Sequence, residues 1–126
     1  MRSVCVGSCP DPDCIISVEC LATSAPRKVL HVQSMSLWAP SCIGPDSQAS
    51  AVNGLVHCAG QIPLEAGTMV LVPGEPAWAQ AIRCFESCRC VLAVHRSALH
   101  QVVGGKFLAI YRPCYFLIVY STPSAS

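Results

Sequence analysis

Apolar and polar positions along this chain follow two different periods. Residues 14–22 carry β-branched side chains, with Ser17 and Glu19 on one face, a period-two pattern that predicts a strand. Residues 28–35 predict a second strand. Asn53-Gly54 stands between two apolar runs and has the composition of a two-residue hairpin turn. The strand after it is expected to run from Leu55 into Gln61-Ile62-Pro63, and residues 68–72 read as a further short strand. From residue 77 to about 94 the period becomes helical. Trp78, Ala81, Ile82, Phe85, Cys88 and Leu92 form the apolar stripe, while Gln80, Arg83 and Glu86 fall largely away from it. Pro76 suits the first helical turn, and Glu75 puts negative charge near the positive helix end.

Gly104-Gly105 reads as a break, followed by strands at residues 107–110 and 115–120 on either side of Arg112-Pro113. Residues 1–13 contain Pro10 and Pro12, which fix φ and remove amide donors, so an irregular leader is expected there. The small polar residues 121–126 read as a disordered tail. Strands, a hairpin, one long helix and more strands imply an α+β fold: a layer of antiparallel or mixed sheet with a helix covering one face.

A length of 126 residues suits one modest domain. Hydrophobic residues make up 52% and charged residues 12%, which excludes intrinsic disorder. The same balance leaves apolar surface that a partner or symmetry mate would cover. The net charge is +1 and Arg27-Lys28 is the only adjacent basic pair, so electrostatic binding of nucleic acid is not expected. The ten cysteines are not preceded by the apolar core of a signal peptide, so reduced thiols in the cytoplasm are expected rather than a disulfide framework. The longest apolar run, residues 114–120, is far too short to span a membrane.

Cys84, Cys88, Cys90, His95 and His100 are dense enough to test as a zinc site. They do not form the two matched pairs of a zinc knuckle, and on a helix Cys90 points away from Cys84 and Cys88. Cys5, Cys9, Cys14 and Cys20 have widening gaps and no histidine among them. No metal site is expected. His31 and His57 lie on strand candidates and are expected to be packed or hydrogen-bonded. No Ser, His and Asp set has a discriminating spacing.

Two motifs carry a resemblance. Gly44-Pro45-Asp46-Ser47-Gln48-Ala49 and Gly60-Gln61-Ile62-Pro63 together resemble the Rid (YjgF-like, chorismate-mutase-like) superfamily. The lead-in Trp38-Ala39-Pro40 narrows the resemblance to the second Rid-like domain of long eukaryotic diphthine–ammonia ligases. It covers roughly residues 14–104. On this resemblance residues 14–25 hold a remnant of the last strand of a preceding Rid-like domain, and residues 26–120 an incomplete second one.

The resemblance implies a parent that amidates diphthine on elongation factor 2, with ATP bound in a separate domain and no cofactor in this segment. Gly104-Gly105-Lys106 is followed by Phe107, so it is expected to be a turn rather than that domain's phosphate loop. Free-standing Rid proteins are trimers that hydrolyse imines and enamines between subunits, using an arginine that binds the substrate carboxylate. Carried over, the pocket is Gly44, Pro45, Asp46, Ser47, Gln48, Gly60 and Gln61. Asp46 replaces the usual tyrosine and would repel a carboxylate. Arg112 is the weak stand-in for the arginine. The expected role is a non-catalytic module that pairs with other Rid-like domains. A homotrimeric imine deaminase is the alternative of a different class, and a fragment that does not fold is the third.

Overall fold

The computed structural model describes residues 2–5, 17–20, 22–71, 76–110 and 114–123, with the backbone alone for residues 2–5, 17–20, 108–110 and 114–119. Strands β1 (Arg2–Cys5) and β2 (Ser17–Cys20) form a two-stranded antiparallel sheet. Five more strands form the main sheet: β3 (Lys28–Leu30), β4 (Ala49–Val52), β5 (Leu55–Gln61), β6 (Val102–Ile110) and β7 (Cys114–Ser121). Their order is β3-β4-β5-β7-β6, and every pairing is antiparallel. Between β5 and β6 runs α1 (Ala77–Val94), followed by a 3₁₀ turn at Leu99–Gln101. The fold is α+β, as expected.

The hairpin turn is where the sequence puts it. Asn53 and Gly54 have φ of 51° and 72°, the left-handed pair of a type I′ turn, and Val52 faces Leu55 across it. The core lies between the sheet and α1. Ala49, Val56 and Cys58 from the sheet meet Cys84, Cys88, Val91 and Leu92 from the helix.

The helix has the predicted span but turns a different face inward. Cys88 and Leu92 are buried, together with Gln80, Cys84, Ser87 and Val91. Trp78, Ile82 and Phe85 are exposed by 67, 54 and 42%. The face against the sheet mixes the small side chains of Cys84, Ser87 and Cys88 with Val91 and Leu92. Phe85 instead stacks on Phe107 of β6, ring centroids 6.0 Å apart. Pro76 occupies the position just before the first helical residue, and its carbonyl accepts from the amides of Ala79 and Gln80. Glu75 lies outside the described residues.

The helix ends in a Schellman motif: Ser97 N–H donates to Leu92 O and Arg96 N–H to Ala93 O, with Arg96 at φ 54°. The motif delivers Ser97 into the sheet. Its hydroxyl meets that of Ser121 and donates to Thr122 O.

Five other expectations change. Residues 2–5 belong to β1 rather than to an irregular leader, because they pair in register with residues 17–20, Val4 with Val18; Pro10 and Pro12 lie outside the described residues. The strand expected at residues 28–35 stops at Leu30, where the chain leaves the sheet edge and Val32 bonds to the side chain of Gln48. Residues 68–71 contribute one bridge, Leu71 to Leu64, because Met69 adopts φ 58° in a turn whose amides bond to Glu65. Gly104-Gly105 does not interrupt the chain, since β6 runs through it paired with Tyr120 and Val119. The extra residue at that irregularity is Val103, which is exposed. Ser121 is the buried end of β7 rather than the start of a tail.

Candidate functional site

The motif residues meet where β4 begins and β5 ends. Gln48 immediately precedes β4, and its carbonyl accepts from Ala59 N–H at 2.8 Å. On its β7 side β5 carries one extra residue: Cys58 faces Val119, but Gln61 faces Leu117. This bulge falls at Ala59-Gly60, re-aims the strand end and directs Gly60 and Gln61 toward the loop at residues 40–46. Between them is a cleft of about 180 Å³. Of the seven pocket residues expected, Asp46, Gln48, Gly60 and Gln61 line it. Gly44, Pro45 and Ser47 form the adjoining turn. Arg112 lies outside the described residues.

Gln48 is buried, and its amide is fully engaged. Its Oε1 accepts from Val32 N–H at 2.7 Å and from the Cys42 thiol at 3.0 Å. Its Nε2 donates to Val32 O at 3.3 Å and to Pro40 O at 3.0 Å. One side chain thereby ties both ends of the 32–42 loop to the sheet. These bonds leave Gln48 no free donor for a ligand. Gln61, also buried, donates to Ala59 O at 3.1 Å across the bulge. Asp46 Oδ1 accepts from Gly44 N–H at 3.2 Å, a bond that closes the Gly-Pro turn.

Cys42 is a lining residue that the sequence did not single out. Its sulfur is also 3.4 Å from His31 Nδ1. Burial and then the Asp46 carboxylate push the thiol's pKa above its ordinary value, so it stays protonated near neutral pH. The pattern that could have found it is its place two residues before Gly44-Pro45, in a loop that must fold back on Gln48. His57 is buried in β5 and packs edge-on against Tyr120, ring centroids 5.2 Å apart. Burial lowers its pKa, as it does for His95, where Lys28 adds to the effect.

Among the described residues no group of three or more His, Cys, Asp or Glu side chains could hold a metal. Cys84 and Cys88 are buried in the core, whereas Cys90 lines a separate open groove of about 540 Å³ with Trp38, Glu65 and Arg83. No helix among the described residues is long and apolar enough to cross a membrane.

The family model for Endoribonuclease L-PSP matches residues 37–109, from the loop below the cleft through most of β6. The chain belongs to that family. Its Rid-like fold agrees with solved structures: a Rid-family protein of unknown function from Yersinia pestis superposes with a TM-score of 0.66 at 19% identity, over 77% of this chain and 99% of that one. The diphthine–ammonia ligase of Schizosaccharomyces pombe is 49% identical over 45 residues, 36% of this chain but 7% of the ligase. Protein DfrA of Myxococcus xanthus is 42% identical over 79 residues, 61% of this chain and 56% of that protein. The L-PSP match reaches residue 109, a little beyond the limit near residue 104 expected from the resemblance.

Proposed function

We propose that this chain is a Rid-like module whose cleft has lost the chemistry of imine hydrolysis, and that it acts as an interaction domain within a diphthine–ammonia ligase. The observation that carries the reading is the cleft itself. Asp46 brings a carboxylate to its lining, Gln48 spends its amide on the loop, and the described lining contains neither arginine nor lysine. An imino acid arriving there would place its own carboxylate beside Asp46, with no cation among the described lining residues to compensate. The ligase reading draws support from the 49% identity over 45 residues and from Trp38-Ala39-Pro40. On this reading ATP binds elsewhere in the parent, elongation factor 2 is met through the whole enzyme, and the strand at residues 17–20 is a remnant of a preceding Rid-like domain. The module's partners are other Rid-like domains, its own copies in a trimer included.

The test is a titration of the chain with a small 2-oxo acid, a stable stand-in for an imino acid, followed by amide NMR at Gly60 and Gln61. We expect no shift at millimolar ligand. Saturable shifts at both residues would refute the loss of the pocket. They would favour the second reading, a small imine deaminase, which has in its favour the gathering of Asp46, Gln48, Gly60 and Gln61 in one cleft.

A further inference from the structure

Cys42 and His31 stand together at the wall of the cleft. Cys42 is a partly buried free thiol that lines the cavity of about 180 Å³, and His31 beside it is exposed. The sulfur is held at two points, 3.0 Å from Gln48 Oε1 and 3.4 Å from His31 Nδ1. Gln48 is itself locked by its bonds to Val32 and Pro40, so the sulfur has a fixed place. A thiol carries one proton. In the imidazole tautomer with hydrogen on Nε2, His31 Nδ1 offers that proton a lone pair, and the thiol can turn it from Gln48 to the ring. A nucleophile, a base within hydrogen-bond reach and a third group that fixes the position are the parts of nucleophilic catalysis.

The rest of the lining selects what reaches the sulfur. Ile43, Ile62 and Leu64 are apolar, and Asp46 is the one charged group among the described lining residues. An anionic reactant would meet that carboxylate, and an anionic leaving group would find no cation there. Both points favour an uncharged reactant and an addition over a substitution. We propose that Cys42 is the nucleophile of a covalent capture site for small, uncharged α,β-unsaturated carbonyl compounds, with His31 as its base. The selectivity rests on the reading that Asp46 turns carboxylates away from the cleft.

As Cys42 Sγ attacks the β-carbon, the C–S bond forms and the thiol proton passes to His31 Nδ1. The electron pair of the C=C bond shifts, giving an enolate. The imidazolium then returns the proton to the α-carbon, and the carbonyl is restored. The net change is addition of S–H across the double bond, with no oxidant, reductant or leaving group. Burial and the Asp46 carboxylate keep the thiol protonated at rest, so attack needs the base at hand.

The experiment reacts the reduced full chain at pH 7 with acrylamide and, separately, with acrylate, and follows the adduct at Cys42 by peptide mapping. N-acetylcysteinamide, an uncharged thiol in solution, corrects for the intrinsic difference between the two reagents. We expect Cys42 to outpace this reference with acrylamide and to prefer acrylamide over acrylate several-fold more than the reference does. His31→Ala should slow the acrylamide reaction several-fold, and added imidazole should restore part of the rate. Asp46→Asn should narrow the preference. An unchanged rate in His31→Ala would overturn the proposal while leaving the anion-excluding cleft intact. If that variant fails to fold, the unmutated chain decides: a Cys42 no faster than the reference thiol overturns the proposal. A preference no greater than that of the reference would overturn the selectivity, and with it the reading of Asp46 on which it rests.

Discussion

Gln48 shows how one side chain can hold a site without acting in it. Its four hydrogen bonds satisfy Val32 N–H and O, Pro40 O and the Cys42 thiol, all in or beside the loop that walls the cleft. Gln48→Leu keeps the volume and orphans these groups. An unsatisfied buried polar group costs about 1–3 kcal/mol, so we expect a loss on the order of 2–4 kcal/mol in urea unfolding under reducing conditions. A loss below about 0.5 kcal/mol, the level of a neutral surface change, would show that the amide is not a structural tie. Asp46 acts on its neighbour through charge. Asp46→Asn removes a carboxylate that disfavours the Cys42 thiolate, so maleimide labelling of Cys42 should accelerate at pH 8. Unchanged labelling would mean that burial alone governs the thiol. The two depressed histidines set a pH dependence. His57 and His95 resist protonation in the fold, so the unfolded chain binds more protons once pH falls below about 6.5. Stability is full above that value and declines as pH drops through it toward the lower folded pKa values. Midpoints of urea unfolding at pH 8, 6.5 and 5 should therefore fall in that order at the acid end.

At the scale of elements, the hairpin and the helix were legible for different reasons. Asn53-Gly54 specifies a turn by local backbone sterics alone, so no tertiary knowledge is needed to place it. The helix span follows from periodicity, but its inward face does not. Trp78, Ile82 and Phe85 are more apolar than Cys84, Ser87 and Gln80, yet the smaller set faces the sheet. Which face turns inward is fixed by how α1 packs on β5 and β7, not by the hydrophobicity of any single position. Truncation separates the two faces: Leu92→Ala should cost about 2–5 kcal/mol, whereas Ile82→Ala should cost under about 1 kcal/mol. Equal costs would place Ile82 in the core. The helix end offers a gain in stability. Arg96 holds the left-handed position of the Schellman motif that glycine favours, so Arg96→Gly should stabilise by roughly 0.5–1 kcal/mol. The strands after the helix were legible as apolar runs, but Gly104-Gly105 suggested a break that pairing with β7 overrides. Of the cleft, the two motifs located four lining residues through resemblance. Cys42 stayed hidden because its role depends on a loop folding back onto Gln48, a contact that no periodicity encodes.

Across the whole molecule, the fold is that of the L-PSP family, while the described cleft lining carries the Asp46 carboxylate. On the proposed reading the scaffold is kept while the chemistry of imine hydrolysis is not. The exposed apolar face of α1, with Trp78 and Ile82, leaves surface for association with other domains. The measurement that tests this most directly is ammonia release from an imine generated in situ from a small amino acid by an oxidase, with the purified chain present at micromolar concentration. We expect release at the rate of the buffer control, with or without Asp46→Asn. Accelerated release from the unmutated chain that disappears in Arg112→Ala would contradict the proposal and make the chain a working imine deaminase.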